Sequence, residues 1–280
     1  MMIDPISDSS TTETFDESLI PLEEVSSIVK NDMVAHALFH KLQQLQLNSV
    51  EKKLGQGAVG SVFQLRGTPL YGSHKLALKV MQFSPENIIA KSGEALALNL
   101  PDNKLLASAL SVLTYDGQSV HCLEKIDQDL HGSHVLIGVV SKAINGSTLK
   151  SKLNQGQFSR EAVCGYGKKL AEAIHTLHSN GLVHKDLHTE NILLENSIDP
   201  YALNLIDFGQ ARQSTPKTLK SDWKHFADLL LEVSHDHLLL DPHFYDLLFS
   251  EKHGLLQGVK PYREEEVINH PFFSRNFSTF

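Results

Sequence analysis

The sequence predicts an α+β chain of two lobes facing each other across a ligand cleft: a β-rich first lobe with one main helix, and a mostly helical, shortened second lobe. Two textures carry this reading. From residue 50 to about 80 the chain runs in short β-rich stretches punctuated by glycine. Over 159–179, by contrast, Val163, Tyr166, Leu170, Ile174 and Leu177 fall on one stripe at helical spacing. Size agrees, because 280 residues, 41% of them apolar, suffice for one large domain or two small ones with a buried core.

The elements follow in order. Residues 1–20 are rich in Ser, Thr, Asp and Glu and read as a disordered acidic tail. Residues 21–48 read as a helical extension: Val34, Leu38, Leu42 and Leu45 recur at spacings of four, four and three, which puts them on one face. That face is expected to pack on the first lobe, residues 49–144; a partner-binding helix is the competing use. Ser84-Pro85-Glu86 reads as a helix start, with Ser at the N-cap, Pro at the first helical position and Glu suited to the N-terminal dipole. Strands return around 105–144. The second lobe, residues 145–280, opens toward the helix over 159–179, which Asn180-Gly181 stops. A short β segment over 192–206 follows, and the remainder is helical.

Charge and composition exclude several classes. The net charge of −8 is concentrated at the start, where residues 1–30 carry −6 and the other 250 only −2. With a pI near 6.0, broad nucleic-acid backbone binding is not expected. The longest apolar run, Val135 to Val140, is far short of the roughly 18–20 residues that span a bilayer. No secretory signal peptide is readable, so the expected location is the cytoplasm, or a host cell reached without a cleavable signal. Cys122 and Cys164 cannot form a disulfide framework and are expected as free thiols.

Four segments carry chemistry. Residues 54–63, LGQGAVGSVF, hold Gly55, Gly57 and Gly60 at G-x-G-x-x-G spacing. A dinucleotide fold would need a helix next, but Ser61 to Leu65 is strand-like, so a glycine hairpin closing over phosphates is the better reading. In LALKV, residues 76–80, Lys79 sits in an apolar strand and needs either a partner or an escape to solvent. Glu94 lies 15 residues on, with Glu86 as the rival partner. HKDLHTENILL at 184–194 and IDFG at 206–209 bring Asp186, Asn191 and Asp207, three oxygen-bearing side chains of the kind Mg²⁺ shares with phosphates. A zinc site at His184 and His188 is disfavoured: Gly181 has just ended a helix, Lys185 stands where Glu is needed, and no third ligand is near.

In order, GQGAVGSV, LALK, Glu94, HKDLHTEN and DFG resemble the motif set of the eukaryotic-like protein kinase superfamily, over about residues 50–280. SDWKHFADLLL at 221–231 resembles the central helix of the kinase large lobe, and VINHPFF at 267–273 its final helical segment. The resemblance implies an ATP- and Mg²⁺-dependent phosphotransferase with a bilobal protein-kinase-like fold. Lys79 would hold the α/β-phosphates and pair with Glu94, and Asp186 would orient the attacking hydroxyl. Asn191 and Asp207 would hold Mg²⁺, Gly55, Gly57 and Gly60 would cover the phosphates, and Asp222 would brace the catalytic loop. Leu54, Val62, Ala77 and Leu193 would line the nucleotide site, Lys142 to Ile144 would form the hinge, and Ser141 would guard the pocket behind adenine. Leu98, His184 and Phe208 would stack through the core.

The chain departs from the family pattern at Lys185, where Arg is usual, and at His188, where Ser/Thr kinases carry Lys. The Asp-Leu-His run is similar to small-molecule kinases such as aminoglycoside phosphotransferases. Only twelve residues, Gln210 to Ser221, separate Gly209 from Asp222, with no Ala-Pro-Glu, so no regulated activation segment fits. In that architecture the chain resembles short effector kinases secreted by bacteria. The expectation is a protein kinase acting on protein hydroxyls, Ser/Thr before Tyr, without activation-loop control. Its active arrangement would be permanent or completed by a partner protein. A small-molecule kinase and a catalytically dead interaction module are the alternatives.

Overall fold

Along Leu76 to Met81 the leucines and valine alternate with Ala77 and Lys79, and that alternation divides the first lobe into layers. The computed structural model describes residues 19–68, 70–72, 74–126, 134–235, 238–250, 254–256 and 263–274. Residues 1–18 of the expected tail lie outside them. Two helices come first, α1 (Leu22–Ser27) and α2 (Asp32–Gln44), the latter capped by the Asn31 side chain on the Val34 amide. Six antiparallel strands follow: β1 (Val50–Gln56), β2 (Gly60–Leu65), β3 (Leu76–Met81), β4 (Ala109–Tyr115), β5 (Val120–Leu123) and β6 (Val135–Lys142). Their spatial order is β1-β2-β3-β6-β4-β5.

Val34, Leu38 and Leu42 of α2 pack in one cluster with Phe63, Leu65, Leu76, Leu78 and Val80. The helical extension therefore covers the back of the sheet and leaves the other face, with Val62, Ala77 and Lys79, toward the second lobe. α2 is thus committed to the first lobe.

The helix expected from Ser84 does not form there. Asn87 O accepts the Leu136 amide at 2.8 Å, the Ile89 amide donates to His134 O at 2.9 Å, and Ile88 bridges Val135. These backbone groups take sheet partners along the part of β6 that extends past β3, which competes successfully with helix nucleation. The helix starts later, after a 3-10 turn at Ile89–Lys91, as α3 (Gly93–Ala97), of only five residues.

The second lobe is built on α4 (Leu149–Leu153), α5 (Arg160–Ser179), α6 (Pro216–Ser234), α7 (Pro242–Phe249) and α8 (Glu264–Ile268). Short strands line its upper side: β7 (Gly146–Thr148), β8 (Leu182–Val183), β9 (Ile192–Glu195), β10 (Leu203–Leu205) and β11 (Arg212–Gln213). Trp223, Phe226, Phe244 and Phe272 are buried in its core. The lobes are tied where the Ala107 amide donates to Leu205 O at 3.0 Å and the Leu205 amide to Leu105 O at 2.8 Å. After Asp207 a 3-10 turn (Phe208–Gln210) leads into β11, paired with β8, and then directly into α6. Thr215 caps α6 in a capping box with Thr218, and Pro216 holds its first position. Among the described residues no helix is long and apolar enough to cross a membrane.

Candidate active site

Pairing of β3 between β2 and β6 sets Lys79 opposite Val62 and Val139, on the face toward the second lobe. Its ammonium donates to Glu94 Oε1 at 3.1 Å and to Asp207 Oδ1 at 2.6 Å. Glu86 lies nearby but makes no ion pair with it. Burial disfavours the charge on Lys79, yet Glu94 and Asp207 outweigh this and raise its pKa above the ordinary lysine value. Glu94 is buried, which pushes its carboxyl up against the pull of Lys79. Asp207 is desolvated too, but Lys79 and the Gly209 amide hold its carboxyl below the ordinary value. Gly93 makes this approach possible: a Cβ there would lie 2.1 Å from Phe208 O, so only glycine lets α3 meet the turn after Asp207.

Gly181, at φ 76°, ends α5 and feeds the loop 184–191. Asp222, fully buried on α6, accepts the His184 amide at 2.7 Å and the Lys185 amide at 2.9 Å. It thereby fixes Lys185 at φ 69°, the conformation that turns the chain to present Asp186, whose side chain is 47% exposed. Asn191 Nδ2 donates to Asp186 O at 2.9 Å and lies 2.9 Å from His188 Nε2. His184 donates from Nε2 to Ile206 O at 3.0 Å and packs on Phe208 with ring centroids 5.3 Å apart. Burial depresses its pKa, so the ring is neutral. Leu98 is buried in the neighbouring cluster with Met81 and Val139.

The antiparallel register of β9 and β10 brings the two oxygen donors together. The Ile206 amide donates to Asn191 O at 3.0 Å, which sets Asn191 beside Asp207. Asp207 itself is left-handed at φ 61°. One ionised carboxylate and one amide oxygen, both hard donors, fit a Mg²⁺ ion that takes its remaining ligands from water and phosphates. No group of three or more His, Cys, Asp or Glu able to hold a metal by itself occurs among the described residues.

Two cavities meet at these side chains. The first, about 500 Å³, is lined by Leu54, Gly55, Val62, Ala77, Lys142, Ile144 and Leu193, with Lys79, Asn191 and Asp207 at its inner end. Ala107, Val139, Ser141, Thr148 and Ser151 also line it. Apart from Ser141, these carry no motif, and only strand register and lobe packing bring them in. The second cavity, about 410 Å³, shares Lys79, Glu94 and Asp207 with the first and adds Asp186, Lys91 and Arg212. Gly57 and Gly60 line neither. Gly57 closes the hairpin by donating to Gly60 O at 2.9 Å, and a Cβ on Gly60 would lie 2.1 Å from Val80 O. Lys142 reaches outward to Asp102 at 3.0 Å.

The bilobal fold and these side chains define a phosphotransferase. A model of the protein kinase domain matches residues 48–226, and the chain belongs to that family. It is 29% identical over 164 residues to ribosomal protein S6 kinase alpha-4 of Mus musculus, which covers 58% of this chain and 19% of that protein. To the serine/threonine-protein kinase pkn2 of Myxococcus xanthus it is 26% identical over 172 residues, 61% of this chain and 19% of the relative. A 74-residue stretch is 40% identical to probable serine/threonine-protein kinase 2 of Plasmodium falciparum, covering 26% and 14%. The chain spans less than a fifth of the length of each of these relatives.

Proposed function

We propose that the protein transfers the γ-phosphoryl group of ATP, with Mg²⁺, to hydroxyls of protein substrates, Ser/Thr before Tyr, without control by an activation loop. One observation carries this: two cavities meet at Lys79, Glu94 and Asp207, and only the second has Asp186 in its wall. A nucleotide in the first would direct its terminal phosphate at an acceptor in the second. Lys79 neutralises phosphate charge, Asp207 and Asn191 hold the metal, and Asp186 orients the acceptor hydroxyl and takes its proton. Bound Mg²⁺ would add charge neutralisation on the transferring group; the rest is positioning. Ser/Thr acceptors are favoured because two of the named relatives, those of Plasmodium falciparum and Myxococcus xanthus, are named as serine/threonine-protein kinases. The comparison with bacterial effector kinases rests on the short segment after Gly209 alone.

A small-molecule acceptor is the second reading, favoured by His188 beside Asn191 and by the limited volume of the second cavity. Labelled ATP and Mg²⁺ with a mixed protein lysate, beside a panel of small hydroxyl metabolites, decides between them. The expected result is label on protein, lost by several orders of magnitude in Asp186→Ala and Asp207→Ala, with ATP binding kept in Asp186→Ala. Label on metabolites alone would reverse the assignment, and label on neither would restore the inactive module.

A further inference from the structure

Glu264, on α8, lies outside the motifs and both cavities, yet its half-buried carboxylate is the centre of a network that runs into the core. His178 Nδ1 donates to Glu264 Oε1 at 2.5 Å, His175 Nδ1 to Oε2 at 2.7 Å, and Trp223 Nε1 to Oε1 at 3.1 Å. From its other side, His178 Nε2 donates to Asp222 Oδ2 at 3.2 Å. The two side chains are 2% and 0% exposed. Asp222 is the carboxylate that holds the His184 and Lys185 amides. Glu264 is therefore linked by three successive hydrogen bonds, through His178 and Asp222, to the backbone that presents Asp186.

The chemistry of the middle residue is constrained. Both ring nitrogens of His178 face carboxylate oxygens, which only accept. A neutral imidazole has one N–H, so both bonds exist only with an imidazolium. Burial works against that charge, but the hydrogen bonds to Asp222 and Glu264 outweigh it and raise the His178 pKa above the ordinary histidine value. Burial likewise pushes Glu264 up, and His178, His175 and Trp223 outweigh it and hold its carboxyl down. The charged groups facing His178 are Asp222 from α6 and Glu264 from α8, with His175 of its own helix on the second oxygen of Glu264.

We propose that Glu264 is a positioning residue for phosphoryl transfer: through His178 it fixes the Asp222 carboxylate that holds the catalytic loop. This rests on the kinase reading above. Lys185 sits in a left-handed conformation that a non-glycine residue keeps only when its surroundings enforce it. Two amide bonds to Asp222 do the enforcing, and Asp222 keeps its orientation while the imidazolium pins Oδ2. The contribution of His178 is present below its unfolded pKa and lost as pH rises through the raised value. That of Glu264 is present above its unfolded pKa and lost as pH falls through the lowered one. The arrangement is intact between them.

The test compares the full chain with Glu264→Gln, whose amide oxygen still accepts from histidine but carries no charge. Imidazole NMR follows the titration of His178, hydrogen exchange follows the His184 and Lys185 amides, and kcat and KM for ATP are measured with Mg²⁺ and dephosphorylated casein. In the variant His178 should titrate at lower pH, and the two amides should exchange about 10- to 100-fold faster, the scale of one charged hydrogen bond. Above the new His178 value kcat should fall by a similar factor, with KM for ATP within about twofold of wild type. Lowering the pH should recover it. An unchanged His178 titration, faster exchange spread evenly over α5 and α6, or a loss of kcat equal at every pH would overturn the proposal. Titration and exchange need no acceptor. A wild type that transfers no phosphate while both readouts move as stated would sink the kinase reading and leave the brace, and still readouts beside an active wild type would sink the brace alone.

Discussion

Lys79 holds two carboxylates that differ in burial, Glu94 at 6% side-chain exposure and Asp207 at 42%. On acidification Glu94, pushed up by burial, takes a proton before Asp207, which Lys79 keeps ionised. Lys79 then loses the partner that aims it while Asp207, the proposed metal ligand, is still charged. We predict that turnover falls on the acid side above the ordinary glutamate value, and that Glu94→Gln removes this limb at a lower plateau, as a pH-rate profile would show. Asp207, with its lowered pKa, contributes stability above the ordinary aspartate value and loses it only as pH falls through and below that value. Lys79→Met should lower kcat by about 10²- to 10³-fold, the scale of a lost charge-stabilising donor. Because Lys79 and Glu94 touch, a double-mutant cycle should be non-additive. The glycines separate in the same way. Gly60→Ala drives a Cβ into Val80 O and should cost about 2 kcal/mol or more, whereas Gly57→Ala meets open space and should stay within about 0.5 kcal/mol in chemical denaturation.

Among the elements, α2 and β6 carry the clearest expectations. Leu38 and Leu42 are fully buried against the back of the sheet, so the extension is a structural layer of the first lobe. Leu38→Ala should lower unfolding stability by about 3 kcal/mol, read as a shift in denaturation midpoint with unchanged slope. A loss below about 1 kcal/mol would show that α2 detaches easily and frees its face for a partner. On β6 the pleat turns Val139 and Ser141 toward the first cavity, while Val140 is buried in the cluster with α2. The pleat thus turns Val140 away from the cavity, while Lys142 lines its edge and sends its ammonium out to Asp102. Serine is small, so bulky N6-substituted ATP analogues should compete for the first cavity, and Ser141→Met should abolish that competition in a displacement assay.

At the scale of the molecule, the segment from Asp207 to α6 is a single 3-10 turn, a two-residue strand and a helix cap, which leaves no loop to fold back over the cleft. Lys185, which donates to Ser221 Oγ at 3.3 Å, is a point charge without the bidentate fork of arginine. Turnover should therefore stay within a few-fold after phosphatase treatment, and in Ser214→Ala and Ser221→Ala. Thr215 and Thr218 are unsuitable for that test, because they form the capping box of α6 and their loss should cost about 1 kcal/mol each in stability. Collapse of activity on dephosphorylation, restored by rephosphorylation, would show that control by phosphate survives in this short segment.

The two lobes, the stripe on α5, the stop at Gly181 and the acidic and cationic side chains of the cleft were legible in the sequence. They depend on local pattern and on residue types in order: hydrophobic period, turn chemistry, and carboxylates flanking an apolar lysine. The start of α3 was not legible, because Ser84-Pro85-Glu86 satisfies every local rule for a helix and is overruled by sheet partners on β6 that are distant in sequence. Gly93, Val139 and Thr148 gave no signal for the same reason, since their part is set by what packs against them. In the sequence Glu264 is one acid of the run Glu264–Glu266, with nothing local to set it apart. Only the packing of α8 against α5 and α6 shields it from most of the solvent and sets its carboxylate against His178 and Trp223, where its charge matters for the loop that carries Asp186.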